Sequence, residues 1–327
     1  MKTQLLDAKN PADCHRATTL LRQGELVAVP TETVYGLAAD ATQPAAVAKI
    51  FAAKERPATH PLIVHIADAD AMTRWAATVP QAAWKLAAAF WPGPMTLLLP
   101  KAPWVDQTVT GGLQTIGLRV PDHPVLLALL RELDSGVAAP SANPHKRLSP
   151  TSAAQVLDGL DGRIAAVLDG GDCQVGLEST IVDLTTDEPR ILRSGPLTRE
   201  QIAVVLERTV SMPAQHDMAV PGNMRVHYQP RTPLQVLPRA ALAEMLAQLA
   251  PECTALVLHG EHSPAPALPL LTLRRLPSDK EGYARLLYRT LYELDQLHPA
   301  RILLEAPPQD EAWAGINDRL AKAAAHF

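Results

Sequence analysis

Through about the first two hundred residues, short apolar runs rich in β-branched side chains alternate with Ala/Leu-rich stretches of helical period. The runs at Leu26–Val29, Leu62–Ile66, Met95–Leu99, Ile116–Val120, Val137–Ala139, Ala165–Leu168, Thr180–Leu184 and Arg190–Leu192 read as strands. Ala12–Gln23, Pro44–Ala53, Ala67–Ala76, Gln81–Ala89, His123–Glu132, Ser152–Leu157 and Thr198–Leu206 read as helices. Alternation of this kind specifies an α/β domain. The short gap between Thr180–Leu184 and Arg190–Leu192 calls for a hairpin, so the sheet is expected to be mixed rather than purely parallel.

Between Ser211 and Pro233 the alternation stops, and Met212 to Asp217 and Pro221-Gly222-Asn223 read as linker. A second α/β pattern follows, with strands at Leu234–Leu237, Ala255–Leu258 and Ile302–Glu305 and a long helix near Lys280–Leu297. In that helix Tyr283, Leu286, Leu287, Thr290, Leu291, Leu294 and Leu297 form one apolar stripe, read as core. The expected division is therefore residues 1–208, a linker at 209–233, and a smaller domain at 234–327. The 30 prolines gather at strand ends and in the linker, where they fix turns.

Charge and composition narrow the function classes. A formal net charge of -4 gives no global basic field to steer the chain onto nucleic acid, and 4% aromatic residues leave little for a base-stacking platform. Cys14, Cys173 and Cys253 are too scattered for metal-ligand spacing or a disulfide framework, and unpaired thiols are expected. The N-terminus lacks the apolar core of a signal peptide and no run approaches the ~18 apolar residues of a membrane helix, so a cytoplasmic, non-membrane protein is expected.

Polar clusters stand at the ends of the apolar runs. Pro30-Thr31-Glu32-Thr33-Val34-Tyr35-Gly36 follows the first strand; Lys54-Glu55-Arg56 closes a helix and precedes His60 and His65. Thr31 and Thr33 would serve equally as turn residues, and Lys54 and Arg56 as cations at a helix C-terminus. Thr115, Gly117 and Arg119 share one strand face, and an Arg in an apolar strand needs an anion, for which a bound carboxylate or phosphate is a natural candidate. Pro140-Ser141-Ala142-Asn143, Ser149, Glu178-Ser179-Thr180 and Arg193-Ser194-Gly195-Pro196 repeat the theme of a small polar turn beside a strand. GxGxxG, GxxxxGK[ST] and HExxH are absent from the sequence, which disfavours the corresponding dinucleotide, Walker-type and zinc-protease readings.

Together these clusters, with Pro61 to His65 and Trp91-Pro92-Gly93-Pro94, have the order and spacing of the YrdC-like domain, a resemblance that covers roughly Leu5 to Leu206. The segment Pro221 to Pro230 and the tail Ala314 to Leu320 resemble the long, two-domain form of L-threonylcarbamoyladenylate synthase. The resemblance implies an open, twisted α/β sheet with a large concave cavity, followed by a smaller Rossmann-like domain. It implies an enzyme, a nucleotidyltransferase that condenses ATP, L-threonine and bicarbonate or CO2, and whose product serves tRNA modification beside the anticodon. By position it assigns Thr33, His65, Arg119 and Ser179 to threonine; Arg56, His60, Thr115, Ala139, Ser141, Asn143, Ser149, Arg193 and Tyr228 to ATP; and a catalytic role to Lys54 and Arg56. His60 stands where the family often has Asn, Ala139 offers only backbone groups, and Arg225 and Val226 depart from the family's linker pattern. No protein metal site is implied; Mg²⁺ would arrive mainly on the ATP phosphates. The linker would act as a lid, and tRNA or tRNA-modifying proteins are the implied further partners. Two rivals are a non-catalytic double-stranded RNA- or tRNA-binding module, which the charge and aromatic content disfavour, and a carbamoyl-transfer enzyme, whose chains carry CxxC pairs that this one lacks.

Overall fold

A computed structural model describes residues 2–213, 218–222, 224–248, 253–260 and 270–325. The stretch 214–217 and Asn223, both in the expected linker, lie outside the described residues. The chain divides into two compact units: Met1–His145, Ser149–Gln174 and Glu178–Asn223 form the first, and Lys146–Leu148, Val175–Leu177 and Met224–Phe327 the second.

In the first unit the element order is β1 (Gln4–Asp7), α1 (Pro11–Arg22), β2 (Val27–Val29), β3 (Gly36–Asp40), α2 (Pro44–Lys54), β4 (Ile63–His65), α3 (Met72–Trp75), α4 (Gln81–Phe90), β5 (Met95–Pro100), α5 (Gln107–Thr110), β6 (Thr115–Arg119), α6 (Pro124–Leu133), β7 (Val137–Ala138), α7 (Ala153–Leu160), β8 (Ala166–Asp169), β9 (Thr180–Asp183), β10 (Arg190–Arg193) and α8 (Arg199–Leu206). The ten strands run β1-β8-β2-β3-β7-β4-β6-β5-β9-β10. Parallel pairs such as β4·β6 and β5·β9 mix with antiparallel ones such as β2·β3, β5·β6 and β9·β10, as the short connections require.

Period-two alternation sorts the side chains between the two faces. On one, Ala28, Leu37, Val64, Leu97, Ile116, Leu118 and Val182 join helices α2, α4, α7 and α8 in the larger core. On the other, Val27, Val29, Ala38 and Val137 pack under α1 and α6, and Ile63, Leu98, Ile181 and Leu192 pack under Val220. By the same alternation His65, Thr96, Thr115, Gly117, Arg119 and Ser179 share this second face. The polar site thus lies on a sheet whose reverse side is mostly apolar core, a rigid backing for groups that must hold position.

The second unit contains β11 (Leu234–Leu237), α9 (Arg239–Gln248), β12 (Thr254–His259), β13 (Thr272–Leu276), α10 (Lys280–Asp295), β14 (Arg301–Glu305) and α11 (Ala314–Ala323). Its sheet is parallel, in the order β11-β14-β12-β13. The expected stripe on α10 is buried at Tyr283, Leu287, Thr290, Leu291 and Leu294; Leu286 is partly exposed, and Leu297 falls beyond the helix and is exposed. Among the described residues no helix is long and apolar enough to cross a membrane, and all three cysteines are unpaired.

Three differences from the sequence reading have local causes. The helix expected at Ala67–Ala76 shrinks to Met72–Trp75, because the Asp68 carboxylate accepts the Ala71 N–H (3.0 Å) and holds the preceding residues in a bend. β3 is absent from the expected strands: Gly-Leu-Ala-Ala lacks β-branched residues, yet all of it is buried and paired with β2 and β7. β1 and β13 are mostly polar or exposed edge strands with little apolar signal.

Candidate active site

The segment from Pro30 to Tyr35 links β2 to β3, and its hydroxyls first serve their own backbone. Thr31 Oγ1 accepts the N–H groups of Thr33 (3.1 Å) and Val34 (3.2 Å), donates to the Val34 carbonyl (2.7 Å) and lies 2.9 Å from Thr33 Oγ1. Tyr35 is fully buried; its phenol donates to Gly171 O (2.8 Å), and burial raises its pKa. Tyr35 accordingly anchors the loop. The Pro140–Ala142 segment docks alongside, with Leu37 N–H on Pro140 O (2.6 Å) and Ala142 N–H on Tyr35 O (2.8 Å). Ala139 donates its N–H to Ile63 O (3.1 Å).

Lys54 is 2% exposed, and its ammonium does not cap its own helix. Nζ reaches across to donate to the carbonyls of Ser141 and of Asn143 (2.5 Å). Burial, with Arg56 second, pushes its pKa well below the usual lysine value. Lys54 therefore ties the Lys-Glu-Arg segment to the Ser-Ala-Asn turn. Glu55 turns the chain through the left-handed region (φ 55°), and Arg56 then donates to Pro61 O (3.1 Å). His60 and His145 pack with ring centroids 5.7 Å apart, and burial, then Arg56, lowers the His60 pKa. The Thr115 hydroxyl is buried without a protein partner.

At the far end of β6, Arg119 is 4% exposed. Its Nε donates to Gly93 O (3.2 Å) and one terminal nitrogen to Glu32 Oε1 (2.5 Å); the second terminal nitrogen takes part in neither bond. The anion that an Arg in this strand requires is thus supplied in part by Glu32, from a loop 87 residues away, a site residue that the sequence reading did not single out. Opposite Arg119 in the β4·β6 register is His65, with both ring nitrogens buried and without a partner. Burial, and after it the Arg119 charge, lowers its pKa well below the usual value, so the imidazole is neutral. Thr115 and Arg119 stand at opposite ends of one five-residue strand; four residues at ~3.3 Å each separate them by about 13 Å.

Three side chains assigned to ligand by the resemblance, Ser179, Arg193 and Ser149, make hydrogen bonds within the protein. Ser179 is fully buried; its hydroxyl lies 2.7 Å from Thr96 Oγ1 and accepts from Arg193 Nη2 (2.9 Å). Arg193 also donates to Ser179 O and to Pro221 O, each at 3.0 Å. Gly195 makes this packing feasible: a Cβ there would lie 2.5 Å from Thr180 N and 2.7 Å from Glu178 O. Ser149 donates to Glu178 Oε1 (2.5 Å), so Glu178 is a second acidic residue that the sequence reading left without a role. Tyr228 belongs to the second unit, where it is 1% exposed, stacks on Tyr288 (5.9 Å) and lies under the Arg319 guanidinium (5.2 Å). Among the described residues no group of three acidic, His or Cys side chains is placed to hold a metal.

Fold and site together define a YrdC-type α/β ligand-binding domain joined to a second, parallel α/β unit. Residues 19–195 match the Sua5–YciO–YrdC family, described as "Telomere recombination", and residues 197–325 match "Threonylcarbamoyl-AMP synthase, C-terminal domain". The chain is 37% identical to the threonylcarbamoyl-AMP synthase of Pyrococcus abyssi over 95% of its length and 93% of that protein. It is 44% identical to the Bacillus subtilis threonylcarbamoyl-AMP synthase over 69% of this chain and 67% of that one. The crystal structure of P. abyssi Sua5 complexed with L-threonine superposes with a TM-score of 0.90 at 34% identity, covering 100% of this chain and 98% of that one. The chain belongs to the Sua5/YrdC family of threonylcarbamoyl-AMP synthases, in its two-domain form.

Proposed function

We propose that this protein condenses L-threonine, bicarbonate or CO2, and ATP into L-threonylcarbamoyladenylate and pyrophosphate. The observation that carries the reading is the Arg119–His65 corner: a buried guanidinium with a terminal nitrogen outside its protein bonds faces a neutral imidazole with two unpartnered nitrogens. A relative of 34% identity over the full chain has been crystallised with L-threonine. Arg119 takes the α-carboxylate, for which a planar guanidinium is suited. His65 and Thr33 contact the rest of the amino acid, with Ser179 held behind them as support. Thr115, His60, Ser141, Asn143, Ser149 and the backbone of Ala139 form the nucleotide end. Arg56 supplies charge to the phosphates, Lys54 fixes the Ser-Ala-Asn turn, and Arg193 holds Ser179. Tyr228 and its linker are assigned to the nucleotide as well.

The reaction needs no protein nucleophile. Threonine ammonium and bicarbonate give the carbamate with loss of water and a proton. A carbamate oxygen then forms a bond to the α-phosphorus of ATP as the bond to the β-phosphate oxygen breaks, and pyrophosphate leaves. The chain's residues align the carbamate with the phosphorus and offset the growing negative charge. Hydroxyls, cations and imidazoles make a set of groups for polyphosphate rather than for a bare cation. Mg²⁺ fits here as a passenger on the ATP phosphates, where it would neutralise their charge. A cytoplasmic location and a product destined for tRNA, with tRNA or tRNA-modifying proteins as partners, complete the reading. Neither RNA binding without catalysis nor carbamoyl transfer is favoured by the synthases named above. Incubation of the pure protein with ATP, labelled threonine and bicarbonate tests it: the adenylate and pyrophosphate are expected together, each dependent on all three substrates. Pyrophosphate release that ignores threonine would refute it.

A further inference from the structure

Glu32 is 5% exposed and only one of its two oxygens is used. Oε1 accepts from Arg119 at 2.5 Å, while Oε2 is buried with no hydrogen-bond partner. An unmatched buried carboxylate oxygen is costly, and such atoms in native proteins meet a donor from protein, water or ligand. The neighbouring protein groups do not supply one. Thr31 and Thr33 hydroxyls are engaged with each other, and Thr31 with the loop backbone as well. His65 has two unpartnered buried nitrogens of its own, and His123, which feels the Glu32 charge, has a buried Nδ1 without a partner. The site thus presents a salt bridge with a vacant bonding position on each half: an oxygen on Glu32 and a terminal nitrogen on Arg119. A zwitterion laid antiparallel over such a pair matches both at once, carboxylate to guanidinium and ammonium to carboxylate.

We propose that Glu32 reads the α-ammonium group of the substrate through Oε2, while its Oε1 aligns Arg119 for the α-carboxylate, so that the site selects an α-amino acid over the corresponding α-hydroxy acid. This rests on the threonine reading above and names the group that enforces it. Glu32 is then a specificity residue as well as a positioning residue. The discrimination has a physical source: a hydroxyl in place of the ammonium offers Oε2 only a neutral donor, where the ammonium offers a charged one.

The test is calorimetric binding of L-threonine and of its α-hydroxy counterpart, 2,3-dihydroxybutanoate, to the full-length protein and to Glu32→Gln. The unsubstituted protein is expected to prefer threonine roughly ten- to a hundredfold, the range of a charged hydrogen bond. In Glu32→Gln, whose amide oxygen can still accept from Arg119, the preference should fall below about threefold, with ATP affinity unchanged. A merely structural role would weaken both ligands together, because both carry the carboxylate; equal weakening with the ratio preserved overturns the proposal. So does an unsubstituted protein that binds the hydroxy acid as tightly as threonine, a result that holds even if the variant fails to fold. An unsubstituted protein that binds neither ligand refutes the threonine reading itself, and is distinguishable because it fails before any substitution.

Discussion

His65 should make the first unit sensitive to mild acid, by an amount that follows from its surroundings. It is 3% exposed, neither ring nitrogen has a partner, and burial and then Arg119 oppose its protonation. In the unfolded chain a histidine titrates near 6.5. The folded value is depressed, so the stability contribution is complete above about pH 6.5 and is lost as pH falls toward the folded pKa: there the unfolded chain binds a proton that the native state refuses. At about 1.4 kcal/mol per pH unit, going to about pH 5 loses about 2 kcal/mol from this one group. Urea unfolding at a series of pH values would measure it, followed by tryptophan fluorescence, since Trp75, Trp84, Trp91 and Trp104 lie in the first unit and only Trp313 in the second. Other groups titrate too, including His60 and His123, but they are shared with His65→Gln and cancel in the comparison. The variant should gain about 2 kcal/mol on the unsubstituted protein between neutral pH and pH ~5. Parallel pH curves for the two proteins would show that His65 takes up its proton in the folded state, and the dry, neutral imidazole would have to be abandoned.

Lys54→Met should lower stability by about 2 kcal/mol, since the Ser141 and Asn143 carbonyls lose their buried donor, and ATP affinity measured by calorimetry should fall about tenfold as that turn loosens. Gly195→Ala places a methyl group 2.5 Å from Thr180 N and should cost about 1–3 kcal/mol of backbone rearrangement, read as a lowered Tm, with threonine binding weakened through Ser179. Arg56→Ala should leave the fold intact by circular dichroism while adenylate formation drops ten- to a hundredfold, the share of a charged hydrogen bond of roughly 1.5–3 kcal/mol to phosphate.

How far the site could be read from the sequence depended on the range of each interaction. Strands such as β5 and β9 were legible because Met-Thr-Leu-Leu-Leu and Thr-Ile-Val carry their own burial signal, and period two then placed Thr115, Gly117 and Arg119 on a common face. That Arg119 needs an anion is a local inference and it holds. Which anion is not local: Glu32 stands 87 residues earlier in a segment whose hydroxyls already justify it as a turn, and only the sheet order β3-β7-β4-β6 brings the two together. Lys54 shows the same limit from the other side. At the end of α2 its charge has a sufficient local explanation in the helix dipole, and nothing within a few residues reveals that its chain crosses to the Ser141 and Asn143 carbonyls. Ser179 and Arg193 add to the pattern, since two residues that the resemblance assigns to different ligands are hydrogen-bonded to each other, a pairing that no local sequence signal shows. Sequence spacing therefore locates the polar turns that build the site. Which of their side chains the protein itself engages is decided by pairings across the sheet, and those pairings leave buried polar atoms on His65, Thr115 and Glu32 without a protein partner.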